Sequence, residues 1–518
     1  MLSTSTSRSI AYVFALAALF LIEYTSGPKL YEKSIGVTGY DFSKYTEGNF
    51  PITPEKYAGQ YQSIGTLRVS AWPGIEKGVA DDIEPDPEPE PEPKSAQEAI
   101  RKEAMRPNQS EVGRPLPLAS YWNAQYFPLK TQVELIKEGH RFLPFIGWPG
   151  RELQEKQAVQ QIAQWGLPLT IIRGNQWTDR IFRWHPEWEL LNDAVLKEDG
   201  NKKLDPNAPP HIWKRVGKTW TAHKNNAGIQ RLQEVYPDPP LVLLAENNER
   251  GSIMGADNYR TLLESLFQGL RDGLTDPWAE KSKIIGYQAS WPPWDGGMAP
   301  YYEFDWRKNL KRYNFYSAQT VFGNHVQSKR RLLEQHPEQW YELIYWDGEE
   351  KKVQQYRNDG EEPMTSAHFS GWAQYGMWLM TPRVARLYQD HNTPRTGEGG
   401  YWPDMLKLIE AVDRVHEDPV LRKFWRNGDL VPNPKHTNPF MPGWMHDSLE
   451  EKNRFFLLDT SEHPLGTPGG WTGWDKNTKI PVFALARKIG QGSSREWLIY
   501  AHAPMGDQQN VEIEIPKY

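Results

Sequence analysis

From residue 114 onward the chain repeats one pattern. An apolar run of six or seven residues is followed by a longer stretch whose apolar positions recur every three or four residues. The short runs are Leu116–Tyr121, Arg141–Gly147, Leu167–Arg173 (LPLTIIR), Pro240–Ala245 (PLVLLA), Lys283–Ala289 (KIIGYQA) and Tyr341–Trp346 (YELIYW). The longer stretches predict helices over Leu129–Glu138, Glu152–Trp165 and Asn258–Gly273. A sixth strand is expected between Gly297 and Val326, and one more within His368–Leu379. Apolar strands alternating with helices predict a parallel sheet covered by helices, because parallel strands are buried on both faces. A count near eight favours a (β/α)8 TIM-type barrel over an open doubly wound sheet. No GxGxxG follows any of the runs, which also disfavours a dinucleotide fold.

Beyond Tyr401 a helical pattern from Met405 to Trp425 closes this region. Strand signals then return at Arg454–Leu458, Pro481–Arg487, Glu496–His502 and Val511–Ile515. The last two flank the turn-rich Ala503-Pro504-Met505-Gly506-Asp507, so they are expected to form a hairpin. The predicted organisation is a signal peptide over 1–26, an N-terminal segment over 27–113, a barrel over 114–425 and a small C-terminal antiparallel β-sandwich domain over 426–518. The N-terminal segment carries one strand candidate, Thr66–Trp72, and an acidic insert at 81–94, DDIEPDPEPEPEPK. Proline at alternate positions and few apolar groups make that insert an extended, solvated spacer.

Arg8 and the 13-residue apolar run Ile10–Ile22 read as an export signal. The run is short for a membrane span of roughly 20 residues, so the expected location is secreted or periplasmic. An uncleaved N-terminal anchor is the alternative, and no other membrane contact is expected. Lys and Arg number 60 against 66 Asp and Glu, a net charge of −6, so no basic field draws the protein to nucleic acid. The absence of cysteine excludes disulfides, thiolate metal sites and cysteine nucleophiles. The 13 His form no HExxH, and GxSxG is missing, so neither a metal nor a cofactor is expected. The Asn108-Gln-Ser110 triplet matches a glycosylation acceptor.

The 518 residues include 23 Trp and 24 Tyr, many beside Pro or Gly. An indole N–H wants a partner, so aromatics in such settings suit a half-wet cleft in which sugar rings stack. At the predicted carboxyl ends of the strands stand Trp122-Asn123, Trp148, Arg173, Trp177, Glu246 to Glu249, Trp291, Trp294, Trp346 and Asp347. Active sites of barrels form at that end. The tryptophans are candidate sugar platforms, with ordinary packing the competing role. Asn123 and Arg173 are candidate contacts to sugar hydroxyls, with a structural salt bridge the competing role for the arginine.

The stretch Leu243-Leu244-Ala245-Glu246-Asn247-Asn248-Glu249 closes the fourth clear strand. A carboxyl group there can protonate a leaving glycosidic oxygen, and the adjacent amide can hold the sugar 2-hydroxyl. With Asn248-Glu249 the sequence resembles the retaining glycoside hydrolases of clan A, the (β/α)8 superfamily. The resemblance implies Glu249 as acid/base, with Glu246 three residues earlier the competitor for that role, and a nucleophilic carboxylate on strand seven. Glu342, in Trp340-Tyr341-Glu342-Leu343, is the expected nucleophile if that strand stops near Leu343. If the strand runs to Trp346, Asp347 or Glu349 takes the role, and a Glu342 paired with an arginine is the structural alternative. The function expected is an exported glycoside hydrolase, endo-acting and retaining, with a polysaccharide or oligosaccharide as its partner. The alternative is a non-catalytic carbohydrate-binding protein on a decayed barrel.

Overall fold

The computed structural model describes residues 61–69, 93–121, 127–146, 156–174, 195–198, 201–204, 208–222, 227–247, 257–287, 295–302, 338–346, 366–388, 402–431, 459–460, 483–491, 495–502 and 508–516. In chain order the first strands are β1 (Tyr61–Val69), β2 (Leu118–Tyr121), β3 (Phe145–Ile146), β4 (Leu169–Gly174), β5 (Val195–Glu198), β6 (Asn201–Leu204), β7 (Val242–Asn247) and β8 (Ser282–Tyr287). There follow β9 (Gly296–Tyr302), β10 (Trp340–Trp346), β11 (Val384–Tyr388), β12 (Asp429–Leu430), β13 (Asp459–Thr460), β14 (Phe483–Ile489), β15 (Glu496–His502) and β16 (Gln508–Pro516). The helices are α1 (Ala96–Met105), α2 (Leu129–Lys137), α3 (Lys156–Trp165), α4 (Pro210–Ala222), α5 (Ala227–Val235), α6 (Asp257–Gly273), α7 (Trp278–Lys281), α8 (Ser366–Met380), α9 (Trp402–Glu417) and α10 (Pro419–Asn427).

Eight strands form one parallel sheet in the order β2-β11-β10-β9-β8-β7-β4-β3. Within that sheet β7 is the fourth strand along the chain and β10 the seventh. The first strand pairs with the eighth, Ala119 of β2 with Ala385 of β11 and Ser120 with Arg386. The two ends of the order also meet. A parallel bridge joins Ala119 to Phe142, with Ala119 N–H donating to Arg141 O at 2.9 Å and Leu143 N–H to Ala119 O at 2.8 Å. The fold is a barrel-like α/β arrangement. Most of the buried strand positions are apolar, among them Leu169, Ile171, Val242, Leu243, Ile284, Ile285, Leu343 and Val384. On α6 the buried Leu262, Leu266, Phe267 and Leu270 fall on one helical stripe.

The sixth strand lies within one residue of the expected window, and two further expectations are corrected. The sixth strand is β9, Gly296–Tyr302. Its Gly-Gly-Met-Ala-Pro sequence has no β-branched run to announce it, and a Cβ on Gly296 would lie 2.0 Å from the Trp340 carbonyl oxygen. The run His368–Leu379 holds no strand but most of α8, and the eighth strand is β11. That helix is apolar on several sides because it is covered on several sides. Tyr345 OH of β10 donates to Ala373 O, Tyr500 OH of β15 to Gly371 O, and Arg487 of β14 to Trp378 O. Finally, β15 and β16 do not form a hairpin: β15 pairs with β14, and β16 pairs with β1 and β13.

The C-terminal strands therefore lie in two three-stranded antiparallel sheets, β12-β14-β15 and β1-β16-β13, the second including a strand from the N-terminal segment. The expected helix Met405–Trp425 is two helices. Asp418 ends α9 and caps α10, accepting from Val420 N–H at 2.8 Å and Leu421 N–H at 3.2 Å, with Pro419 at the first helical position. The acidic spacer at 81–92 and the apolar run at 10–22 lie outside the described residues.

At the amino ends of the strands the segment around α1 forms a floor. Arg383, just ahead of β11, sits with its guanidinium 5.0 Å from the Trp340 ring centroid. It donates to Asn108 Oδ1 at 2.9 Å and to Arg106 O at 2.5 Å, close to the carbonyl end of α1. Glu103 of α1 accepts from both terminal nitrogens of Arg426, Oε1 from Nη2 and Oε2 from Nη1, each at 2.7 Å, and Oε2 also accepts from Leu116 N–H at 2.8 Å. Burial raises the Glu103 pKa, but the hydrogen bond and charge of Arg426, Leu116 N–H and Arg106 outweigh it and hold the carboxyl below the usual range. The Asn108 side chain of the glycosylation triplet is itself part of the floor, since Nδ2 donates to Gln339 O at 2.6 Å.

Candidate functional site

The carboxyl ends of the parallel strands are where the sequence concentrates its candidates. Trp122 and Asn123 follow directly on Tyr121, the last residue of β2. Asn248 and Glu249 follow on Asn247, the last of β7, and Asp347 follows on Trp346, the last of β10. Trp148 and Trp177 come two and three residues after β3 and β4. Trp122, Asn123, Trp148, Trp177, Asn248, Glu249, Trp291, Trp294 and Asp347 all lie outside the described residues. Trp291 falls in the connection after β8, whereas Trp294 stands one position ahead of Asp295 at the entry to β9. In chain order it lies two residues ahead of β9 and seven after β8, so it belongs to the entry of a strand and not to a carboxyl end.

Two candidates can be placed by register. Arg173 on β4 is paired with Glu246 on β7, and Gly174 with Asn247. Thr170 is paired with Leu243 on the same two strands, so counting by twos from that pair reaches Gly174 and Asn247, not Arg173 and Glu246. Trp346 is level with Tyr302 on β9 and Tyr388 on β11. These two tyrosines end their strands and escaped the sequence reading, because neither neighbouring run was recognised as a strand.

Glu342 is the candidate whose surroundings are fully described. Strand β10 does not stop near Leu343 but continues to Trp346, so Glu342 is third of seven residues rather than terminal. Its carboxylate and the Arg386 guanidinium are both 0% exposed. Arg386 Nε donates to Oε2 at 2.7 Å and Nη2 to Oε1 at 2.8 Å, a bidentate pair, while Trp340 Nε1 donates to Oε1 at 2.8 Å. The remaining Arg386 donors reach two other strands. Nη1 donates to Ser120 Oγ at 2.8 Å and Tyr121 O at 3.0 Å, and Nη2 to Thr170 Oγ1 at 3.3 Å. Ser120 Oγ passes the chain on to Leu143 O at 2.8 Å.

The expectation that Glu342 closes its strand is therefore corrected. It is held inside the strand bundle by an arginine and an indole, in the arrangement that satisfies a buried carboxylate. Arg386, Ser120 and Thr170 are the members of this cluster that the sequence reading missed. Ser120 and Arg386 are each a polar position inside an otherwise apolar strand, which is the signal that marks them, and Thr170 shares β4 with Arg173.

Among the described residues no group of three or more His, Asp and Glu stands close enough to hold a metal ion. None of the described helices is long and apolar enough to cross a membrane. No protein-family model matches the chain, and no curated protein matches it. Among solved structures it is similar to an endo-beta-N-acetylglucosaminidase from Cordyceps militaris in apo form, at 12% identity and a TM-score of 0.33. The match covers 61% of this chain and 95% of that one. A likeness of that level carries neither fold nor activity across.

Proposed function

We propose that this chain is an exported glycoside hydrolase on a closed (β/α)8 barrel, acting at the carboxyl ends of its parallel strands on a polysaccharide or oligosaccharide. One observation carries the reading. The fourth and seventh strands of the parallel sheet, β7 and β10, are each followed at once in sequence by acidic groups, Asn248-Glu249 and Asp347. The bridge between Ala119 and Phe142 supports closure.

In this reading Glu249 is the acid/base and Asn248 holds the sugar 2-hydroxyl. Glu342 has both oxygens engaged inside the bundle, so the opposing carboxylate is Asp347, with Glu349 next to it in sequence. Glu249 protonates the departing glycosidic oxygen while the Asp347 carboxylate attacks the anomeric carbon, giving a glycosyl-enzyme ester. Glu249, now a base, takes a proton from water, whose oxygen displaces the Asp347 carboxylate and returns the anomeric configuration. Trp122, Trp148, Trp177, Trp291, Trp294 and Trp346 serve as platforms along an extended chain, which suits endo cleavage. Asn123 and Arg173 contact hydroxyl or anionic substituents.

The test is reducing-end release over a panel of soluble polysaccharides, with the full chain, Glu249→Gln and Asp347→Asn. Glu249→Gln is expected to lower turnover by ~10²- to 10⁴-fold while keeping glycan affinity. Release of monosaccharide alone would sink the endo mode. The second reading, a carbohydrate-binding protein without turnover, is favoured by the ion pair that seals Glu342. It takes over if the panel shows binding, no cleavage, and equal affinity in wild type and Glu249→Gln.

A further inference from the structure

We infer that Arg386 is a positioning residue for the mouth of the strand bundle, setting the heights of the strand ends from which the candidate sugar-binding and acidic groups project. This rests on the hydrolase reading above.

Arg386 lies on β11, level with Ser120 on β2 and with Ile344 on β10, two residues above Glu342. Its five donor contacts join four strands: to Glu342 of β10 twice, to Ser120 and Tyr121 of β2, and to Thr170 of β4. Through Ser120 the same chain of bonds reaches Leu143, ahead of β3. One side chain thus ties together the first, third, seventh and eighth strands and touches the approach to the second. The contact to the Tyr121 carbonyl is the last described bond before Trp122-Asn123.

Stability alone is a poor reason for this arrangement. Barrel interiors are ordinarily filled by branched apolar side chains, and replacing a buried ion pair by well-packed apolar groups is often neutral or stabilising. A guanidinium fork has a property that an apolar filler lacks, because its donors lie in one plane at fixed angles. It accepts only one relative height of the strands it bonds. A slip of one residue moves a strand end by about 3.3 Å and turns its side chains to the other face. A displacement of about 1 Å in a reacting group is enough to lower turnover 10²-fold. The strands held in this way include β10, which leads into Asp347, and β2, which leads into Trp122-Asn123. Strand β7, which leads into Glu249, is reached through its partner β4.

The experiment uses the full chain with the paired replacement Glu342→Leu and Arg386→Met, which removes both charges together, and separately Ser120→Ala. The readouts are the melting temperature, kcat and KM on a cleaved glycan, and hydrogen exchange at backbone amides. The paired variant is expected to melt close to wild type, to lose kcat by about 10- to 100-fold, and to change KM much less. Amides at Tyr121, Trp346 and Tyr388 should exchange faster, while those of β8, which Arg386 does not touch, should hold. Ser120→Ala removes one acceptor without stranding a charge and should give a smaller fall in kcat at unchanged KM.

A paired variant with wild-type kcat and wild-type exchange overturns the proposal and leaves the cluster as filler. If the paired variant fails to fold, Ser120→Ala decides: wild-type kcat counts against positioning and a several-fold fall supports it. If wild type cleaves no glycan, the hydrolase reading falls by itself, and the exchange pattern at the strand ends still decides whether Arg386 positions them.

Discussion

Helices α4 and α6 flank β7 in sequence, and they pack backbone against backbone. A Cβ on Gly217 of α4 would lie 2.1 Å from Leu266 O and 2.8 Å from Leu270 N of α6. A Cβ on Gly269 of α6 would lie 1.9 Å from Lys214 O of α4. Both obstacles are main-chain atoms, so no side-chain rotation relieves them. Ordinary contact between heavy atoms is about 3.5–4.0 Å, so either alanine must push the axes apart by more than about 1 Å. That separation breaks the bond from Thr221 Oγ1 to Leu270 O, now 2.8 Å, and stretches the Lys214–Asp272 ion pair at 2.9 Å. Overpacking costs ~1–3 kcal/mol or more, and the lost buried hydrogen bond adds about 1 kcal/mol. Against these, Gly→Ala inside a helix gains ~1 kcal/mol. Gly217→Ala and Gly269→Ala are each expected to lose about 2 kcal/mol net by those magnitudes. For a unit of about 310 residues that is a fall of roughly 3 °C in melting temperature, read by far-UV circular dichroism. Gly139→Ala is the control: its Cβ meets nothing within 4 Å, and only its φ of +107° is strained. Because α6 is entered from β7 through Asn248 and Glu249, Gly269→Ala should lower glycan turnover as well, and Gly139→Ala should not. A Gly217→Ala variant that melts at or above wild type would show the propensity gain unopposed and refute the backbone contact.

Glu342→Gln leaves the Arg386 guanidinium buried beside a neutral amide, and is expected to lose ~3–5 kcal/mol in urea unfolding. Wild-type stability with turnover abolished would instead return Glu342 to the reacting centre. Arg487, buried on β14, donates from Nε at 2.9 Å and Nη2 at 2.5 Å to Trp378 O, and from Nη1 at 2.8 Å to Gly428 O. Arg487→Met strands both carbonyls and should cost about 2–4 kcal/mol, with one cooperative melt at lower temperature; an unchanged melt would mean the C-terminal sheet does not brace α8. Burial pushes the His416 imidazole down to about 4 from 6.5, while its Nε2–H donates to Pro117 O at 2.7 Å. The unfolded chain binds this proton near pH 6.5 and the folded chain only near 4. Its contribution is therefore full above pH 6.5 and is lost as pH falls to 4, by up to about 3 kcal/mol. His416→Gln should flatten that part of the melting-temperature profile, and an equally steep profile in the variant would refute the assignment.

The strands that the sequence announces are those with uniform apolar runs. Leu169–Gly174, Val242–Asn247 and Trp340–Trp346 depart from the expected bounds by two residues or fewer at each end. They are buried on both faces, and burial on both faces writes itself into composition. The same rule explains the misses. Helix α8 is apolar because β10, β14 and β15 supply it with three contacts, so its composition records burial but not period. Strand β9 owes its glycines to the approach of the Trp340 backbone, and close approach erases the β-branched signature. The expected hairpin at 503–507 failed because turn residues report a change of direction and not a partner. After β15 the chain leaves for a different sheet, where its mate β1 is supplied from the other end of the sequence.

The candidate site divides along the same line. Where a residue sits relative to its own strand was legible, so Asn248-Glu249 and Asp347 were found at the ends of the fourth and seventh strands by counting runs. What a residue bonds to was not, because Glu342 and Arg386 are 44 residues apart and Arg386 and Ser120 266 apart. Ser120, Glu342 and Arg386 are each one polar residue in an apolar strand, Thr170 shares β4 with Arg173, and all four are individually costly to bury. Such positions in several strands of one parallel sheet are satisfied when they meet one another, as these four do. Four polar residues, each in a different strand, are thus a sequence-level sign that these strands share a polar centre. The physical demand that buried donors find acceptors is what converts that sign into the Arg386 cluster.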